Sequence, residues 1–144
     1  MKKKKPQIYD NAYISIKGSS LIDEDESMEF FSRGEFACRG GDYYISYPES
    51  EMTGMEGATT TIKVEPNKVT ISREGAVSTH MVFEKGLKHV SFYETDRGAL
   101  LIGLLTRNIN STIGDAGGEL EIDYTVEVDH FIAGEHSFSV GVKI

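Results

Sequence analysis

The residues with the greatest potential for chemistry lie close together in the stretch ISREGAVSTHMVFEKG, which runs from Ile71 to Gly86. This stretch contains Arg73, Gly75 and His80. A guanidinium can hold a carboxylate or phosphate through two parallel hydrogen bonds, and an imidazole can serve as acid, base or metal ligand. The first question is therefore whether the stretch is a site or only two strands joined by a tight turn.

Alternation along the stretch favours a structural role for two of these residues. Gly75 lies between two alternating segments and supplies the positive φ that a tight hairpin needs. Met81 and Phe83 share one face of the second segment, so His80 falls on the opposite, solvent-facing side. We therefore predict turn chemistry for Gly75 and no catalytic role for His80.

Arg73 shares the inward face of its strand with Val69 and Ile71 and lies near the strand end. Two interpretations remain open for it. In the structural one, its stem covers apolar residues and its guanidinium pairs with a carboxylate or stacks on a tyrosine. In the functional one, it binds the carboxylate or phosphate of a ligand.

Tyrosines supply the other polar groups that we expect to point inward. Tyr43 and Tyr47 share one face of their strand, where each hydroxyl needs a partner or a ligand. Core filling and ligand binding both remain open for these side chains. The candidate ligand-binding residues are Arg73, Tyr43, Tyr47, Tyr93 and Tyr124. Met52 and Met55, in a connection rich in glycine, are candidates for a lid or a contact with another subunit.

The segments that position these residues alternate between apolar and polar side chains. In GELEIDYTVEV, Leu120 and Ile122 begin an apolar face while Glu119 and Glu121 begin an acidic one. The next alternating segment follows the connection 129–135, which contains Gly134, so the two predict a hairpin. Turn signals recur about every ten residues and no helix is indicated. The predicted fold class is all-β, a single antiparallel meander barrel of about eight to ten strands.

Two segments of this pattern are ambiguous. In LKHVSFYE, either Val90 and Phe92 point inward, or Leu87, His89 and Tyr93 do. In ALLIGLLTRNI both faces begin apolar, which is typical of a strand covered on both sides or contacting a partner.

Length and charge set further bounds. The 144 residues fit one domain, for which we predict a disordered basic tail over 1–10 and a barrel over 11–144. Without Lys2–Lys5 the chain carries 11 basic and 23 acidic residues, a net charge of −12 that repels phosphate backbones. We predict no nucleic-acid or membrane partner. The single cysteine, Cys38, cannot form an internal disulfide, which favours the cytoplasm.

Known catalytic and cofactor patterns do not occur in the sequence. The four histidines show no metal-binding spacing, and GDAGGE lacks the lysine and hydroxyl of a phosphate-binding loop. An inward His89 could ligate haem, but a core or rim imidazole is commoner. No nucleophile elbow is present. We therefore predict no enzyme activity, no metal and no cofactor.

The same stretch resembles a known family. The residues Arg73, Gly75, Ala76 and Val77 form an R-x-G-A-V core, and Tyr93 and Gly98 precede an apolar strand that ends at Thr106. These features, and the strand order from about Tyr13 to Val142, resemble the YwiB-like family of small bacterial β-barrel proteins. The resemblance implies a calycin-like barrel, similar in shape to lipocalins, and implies no function. The Gly-x-Trp of lipocalins is absent because the chain has no Trp.

These observations leave two hypotheses for function. In the first, the barrel mouth binds a small apolar or amphipathic ligand, with Arg73, Tyr43 and Tyr47 as polar contacts. In the second, the barrel is filled and the protein is a structural or interaction protein. It would then act through the Met52–Met55 loop or an edge strand, and a homodimer is one form that this could take.

Overall fold

A computed structural model describes residues 7–20, 28–49, 57–75, 78–95 and 98–144, with the backbone alone at 19–20 and 93–95. These residues form ten β-strands and no helix. The strands are β1 (Gln7–Ser20), β2 (Met28–Arg39), β3 (Asp42–Pro48), β4 (Thr59–Glu65), β5 (Lys68–Glu74), β6 (Thr79–Phe83), β7 (Lys88–Thr95), β8 (Gly98–Ser111), β9 (Gly117–Val128) and β10 (Phe131–Lys143).

All ten strands belong to one antiparallel sheet in the order β6-β5-β4-β3-β2-β1-β10-β9-β8-β7. Chain neighbours pair with one another, and β1 also pairs with β10, so the sheet curls into a nearly closed barrel. The connection 84–87 joins the two end strands β6 and β7, and it extends the β7–β8 pairing, because Gly86 N donates to Thr106 O at 2.8 Å and Thr106 N donates to Leu87 O at 3.2 Å. The predicted all-β meander barrel is confirmed.

Alternating side chains fill the centre of this barrel. Leu120 and Ile122 are buried while Glu121 between them is exposed, as the alternation of GELEIDYTVEV predicts. The same pattern on other strands brings large apolar side chains together in a single core. Its most deeply buried members are Phe36, Phe83, Ile14, Ile45, Ile62, Leu120, Ile122, Val69 and Val140.

The barrel begins earlier than the predicted tail allowed. Strand β1 starts at Gln7, which pairs with Cys38, and Tyr9 stacks on Phe36 with ring centroids 6.3 Å apart. The register between β1 and β2 shifts between Tyr9 and Ala12, so a β-bulge accommodates the polar residues Asp10 and Asn11 within the strand. Residues 7–10 therefore belong to the barrel, and the rest of the predicted tail lies outside the described residues.

Because successive strands are antiparallel, their connections alternate between two ends of the barrel. We call one the Tyr43 end; its turns contain residues 40–41, 66–67, 84–87 and 112–116. We call the other the Arg73 end; it includes the last residues of β3 and β5, the first residues of β4 and β6, and the turn between β9 and β10.

The ambiguous segment in β7 is resolved by its pairing with β8. His89 lies opposite Leu104, whose side chain is buried, so His89 shares the inner face. Val90 and Phe92 point outward and are exposed. The outer face of β8 contributes Leu101, which lies opposite Phe92, so apolar residues do occur on both faces of β8.

Candidate functional site

Four polar side chains of the Arg73 end lie in one row across neighbouring strands. Tyr47 of β3 lies opposite Thr60 of β4, Thr60 lies opposite Arg73 of β5, and Arg73 lies opposite Thr79 of β6. Residues directly opposite one another in an antiparallel pair share a face of the sheet. The row therefore faces the barrel interior, with Tyr47 and Thr60 fully buried.

Glu49 lies next to this row and forms an ion pair with Arg73. Its backbone N donates to Ala58 O at 2.9 Å, which carries the β3–β4 pairing one step beyond Pro48. Its side chain is only 1% exposed, and its Oε1 lies 3.3 Å from Arg73 Nη2. Thr60 Oγ1 donates to the same Oε1 at 2.5 Å and accepts from Arg73 Nε at 3.2 Å. The guanidinium is thus bound to groups of its own chain.

The surroundings of this buried ion pair keep Tyr47 neutral. Burial raises the pKa of the Tyr47 hydroxyl well above its usual value, and the nearby Glu49 carboxylate raises it further, while Arg73 offsets part of the shift. Glu49 Oε2 and Thr79 Oγ1 are buried without a hydrogen-bond partner among the described residues. The arrangement holds an ion pair between two strands at this end of the barrel.

The Tyr43 end is built differently, because an open cavity of about 710 Å³ lies there. Its inner surface is apolar, and its rim consists of charged and polar residues from the turns that meet at this end. The apolar lining consists of Val64, Val69, Leu87, Ile109 and Ile113. The rim consists of Glu65, Pro66, Asn67, Lys68, Glu84, Lys85 and Ser111, with Gly41 and Tyr43 on the β2–β3 side.

Tyr43 is held at this cavity by contacts on both sides of its ring. The ring stacks on Phe36 with centroids 5.9 Å apart and planes 2° apart, and its hydroxyl donates to Asp115 Oδ1 at 3.0 Å. Tyr43 also lines a neighbouring cavity of about 310 Å³, together with Cys38 and Gln7. Tyr43 is therefore oriented in the wall between two open spaces.

The structure divides the candidate residues between the two ends. Tyr43 and Tyr47 are on one strand, four residues apart, which corresponds to about 13 Å. Tyr47 and Arg73 meet at the Arg73 end, whereas Tyr43 lines the cavity at the other end. A single mouth formed by Arg73, Tyr43 and Tyr47 is therefore not what the fold assembles.

The remaining candidate residues line neither the Arg73 row nor the cavity at the Tyr43 end, or lie outside what the structure describes. Tyr124 packs edge-on against Phe83 at 5.0 Å and lies 5.7 Å from the His136 ring, and burial raises its pKa. Tyr93 lies opposite Leu100 in β7, but its side chain is outside what the structure describes. Met52 and Met55, the candidate lid or interface residues, are also outside the described residues.

Sequence reasoning missed Glu49 and the charged rim of the cavity. Glu49 lies in a segment that reads as a loop after Pro48, although it is two residues from Tyr47 and so has the same inward parity. Lys68 begins β5 and Lys85 lies in the β6–β7 connection, and neither was among the candidate residues. The available signal was the meander itself, since it places every second turn at the same end.

The structure also bears on metal binding and on membrane insertion. Within the residues that the structure describes, no three His, Cys, Asp or Glu side chains come together in a way that could hold a metal ion. No helix long and apolar enough to span a membrane occurs in the described part of the chain.

Comparison with known proteins supports the predicted resemblance. The uncharacterized β-barrel protein YwiB of Bacillus subtilis is 28% identical over 118 residues, which cover 80% of this chain and 82% of the relative. The crystal structure of ywiB from the same organism shares the fold with a TM-score of 0.78 at 22% sequence identity, covering 98% of this chain and 94% of that one. Residues 14–140 match the family DUF1934, described as a domain of unknown function. The predicted relation to YwiB is thus confirmed, and the chain belongs to the DUF1934 family.

Proposed function

We propose that this barrel binds a small amphipathic molecule in the cavity at the Tyr43 end. The observation that carries the proposal is the cavity itself, since about 710 Å³ falls within the range of about 300–1,000 Å³ typical of small-molecule sites. An apolar lining with a few polar groups at the rim is also the usual composition of such sites.

The lining indicates what kind of molecule would fit. The apolar part of the ligand would contact Val64, Ile109 and Ile113, while its polar group would remain at the rim. The rim carries two cations, Lys68 and Lys85, and two acids, Glu65 and Glu84, so a carboxylate head group would have to pair with one of the lysines. A fatty acid or another acid with one apolar chain has this chemistry.

Of the candidates taken from the sequence, the proposal retains Tyr43. Arg73 and Tyr47 do not line the cavity, and Glu49 already neutralises Arg73. The Tyr43 hydroxyl donates its proton to Asp115 Oδ1, so it would accept a hydrogen bond from a ligand at the cavity wall. The polar contacts thus come from residues of the Tyr43 end.

Fluorescence titration with cis-parinaric acid tests the proposal. We expect saturable binding of one molecule to the chain, and Leu87→Glu should weaken it about tenfold because it places a carboxylate in the cavity mouth. Phe31→Glu is the matched control, since Phe31 is 56% exposed against 51% for Leu87 but does not line the cavity. Equal affinity of the two variants, or no saturable binding by the wild type, would contradict the proposal.

A second candidate is a structural or interaction protein with a solid barrel. It is favoured by the centre of the barrel, where Phe36, Phe83 and Ile62 are fully buried. Native mass spectrometry of the protein purified from its own host separates the two candidates. A molecule retained on the chain and lost in Leu87→Glu supports ligand binding, whereas a ligand-free chain that co-purifies with a protein partner supports the second candidate.

The proposal includes a non-catalytic role in the cytoplasm and a relation to calycin barrels. The meander order and the cavity at one end support that relation, because small antiparallel barrels can hold one small ligand. The single cysteine supports a reducing compartment. Fractionation of host cells followed by detection of the native chain checks the compartment, and recovery with the membrane or the medium would contradict it.

A further inference from the structure

Strand β7 lies at one end of the sheet and pairs only with β8 among the described strands. Its other edge adjoins β6 across the seam of the nearly closed barrel, and its backbone N–H and C=O groups pair with no strand among the described residues. Such an edge is a template for pairing with a second chain unless charges, prolines or a covering segment block it. The residues of β7, KHVSFYET, contain no proline.

The outer face of this edge is apolar. Phe92 is 74% exposed and Val90 is 48% exposed, and Leu101 of β8 extends the same face next to Phe92. Single exposed apolar residues are ordinary, but neighbouring ones on an unpaired edge mark a contact surface. We call Val90, Phe92 and Leu101 the β7 patch.

The sequence of β7 is complementary to itself when it is reversed about Ser91. In an antiparallel pair of two such strands centred on Ser91, Lys88 lies opposite Glu94 and Val90 lies opposite Phe92. The first pair joins opposite charges and the second joins apolar side chains, and both arrangements stabilise antiparallel pairs. We propose that β7 pairs with β7 of a second copy of this chain, so that the protein is a symmetric dimer.

Other registers of the same pairing are less favourable. Centring on Phe92 places the apolar Val90 opposite the carboxylate of Glu94. A register shifted by one residue would set the outer face of one strand against the inner face of the other. The Ser91-centred register is therefore specified by both charge and parity. It also leaves Lys88 beside Glu127 of its own chain, which lies 3.2 Å away.

Analytical ultracentrifugation of the full chain tests the dimer. The wild type should associate to a dimer, and Phe92→Glu should weaken association at least about a hundredfold because two carboxylates then lie in the β7 patch. Phe31→Glu, an exposed aromatic on the outer face of β2, should dimerise as the wild type does. A wild type that stays monomeric at submillimolar concentration would overturn the proposal.

A charge-swap experiment tests the register itself. Lys88→Glu and Glu94→Lys should each weaken self-association about tenfold, since each dimer then contains two like-charge pairs. When the two variants are mixed, each mixed dimer contains two opposite-charge pairs, so association should return to nearly the wild-type level. Each variant keeps its own substitution when the two are mixed, so mixing changes only which chains meet in a dimer. Recovery on mixing therefore reports the pairing of residues 88 and 94 between chains. No recovery on mixing, or a dimer unaffected by Phe92→Glu, would overturn the assignment.

Discussion

The two ends of this barrel use charged residues in opposite ways. At the Arg73 end, the buried Glu49 carboxylate pairs with the partly buried Arg73 of the same chain. At the Tyr43 end, Lys68 at the start of β5 and Lys85 in the β6–β7 connection line an open cavity. An inward arginine at a strand end therefore identifies a ligand site only when no acid of its own chain lies within reach, and here Glu49 does.

The largest expected effect is a difference in the free energy of unfolding between substitutions at the two ends. Arg73→Met leaves the Glu49 carboxylate buried without its cation, which should lower the free energy of unfolding by about 3 kcal/mol. Lys68→Met at the Tyr43 end should change it by less than about 0.5 kcal/mol, because that side chain lies at the surface. Urea denaturation followed by circular dichroism measures both.

A double variant shows whether the loss comes from the uncompensated charge. Arg73→Met with Glu49→Leu should recover most of the stability lost in Arg73→Met alone, since apolar residues often replace a buried ion pair without loss. If Arg73→Met is as stable as the wild type, the stability of the fold does not depend on this ion pair.

The next largest effect on stability is expected at Gly34, which packs closely beside Tyr47. A Cβ at Gly34 would clash with Ser46 O and come within 2.5 Å of Ile14 Cδ1, so Gly34→Ala should cost about 2 kcal/mol. Gly18→Ala is the matched control, because a Cβ there has no atom within 4 Å. Equal urea midpoints for the two variants would show that the Arg73 end is more loosely packed than its geometry indicates.

Alkaline pH should lower the stability of the fold through Tyr47. The pKa of Tyr47 is raised from 10.0 by burial, so above that pH the unfolded chain releases a proton that the folded chain retains. This contribution to stability is fully present below the unfolded pKa. It then falls by up to about 1.4 kcal/mol per pH unit as pH rises toward the folded pKa.

Urea unfolding of the wild type and Tyr47→Phe between about pH 8 and 11 measures this effect. The variant should lose stability less steeply with pH, and the remaining slope should include Tyr124, whose pKa burial also raises. Parallel curves for the two proteins would mean that Tyr47 ionises in the folded state as it does in the unfolded one.

The smallest expected effect is at the open end. Tyr43→Phe removes the hydrogen bond to Asp115 Oδ1, which lies at the surface, and should cost about 0.5 kcal/mol. The same substitution removes a polar group from the cavity wall, so it should affect cis-parinaric acid binding more than stability. A stability loss as large as that of Arg73→Met would make Tyr43 a structural residue instead.

Much of the fold was predictable because alternation specifies which face of a strand is buried. Leu120 and Ile122 point inward as their parity requires, and the outward position of His80 follows from Met81 and Phe83 in the same way. Periodicity is insensitive to turns that break local preferences. Asp129 and His130 form the β9–β10 turn with φ of 50° and 72°, values that are uncommon outside glycine.

The predicted hairpin is present, but the predicted connection 129–135 was too long, because β10 begins at Phe131. Gly134 lies inside β10, where the register shifts between it and Ile132, and a Cβ there would lie 3.0 Å from His136 Nε2. The glycine is needed for a bulge and a close side-chain approach instead of a turn.

The site was less predictable than the fold, because it depends on which strand ends meet. Parity placed Tyr43, Tyr47 and Arg73 inside, but parity carries no information about height along the barrel. Register does, and it pairs Arg73 with Thr60 and Thr60 with Tyr47. The partner of Arg73, Glu49, could have been found by extending the inward parity of β3 beyond Pro48.

The most direct test of the difference between the two ends is amide chemical-shift mapping during titration of the ¹⁵N-labelled full chain with cis-parinaric acid. We expect the amides of Lys68, Leu87 and Ile113 to shift with a common saturation curve, while those of Thr60 and Arg73 stay unchanged. Shifts centred on Thr60 and Arg73, with the cavity residues unmoved, would contradict the assignment of ligand binding to the Tyr43 end and of a structural ion pair to the Arg73 end.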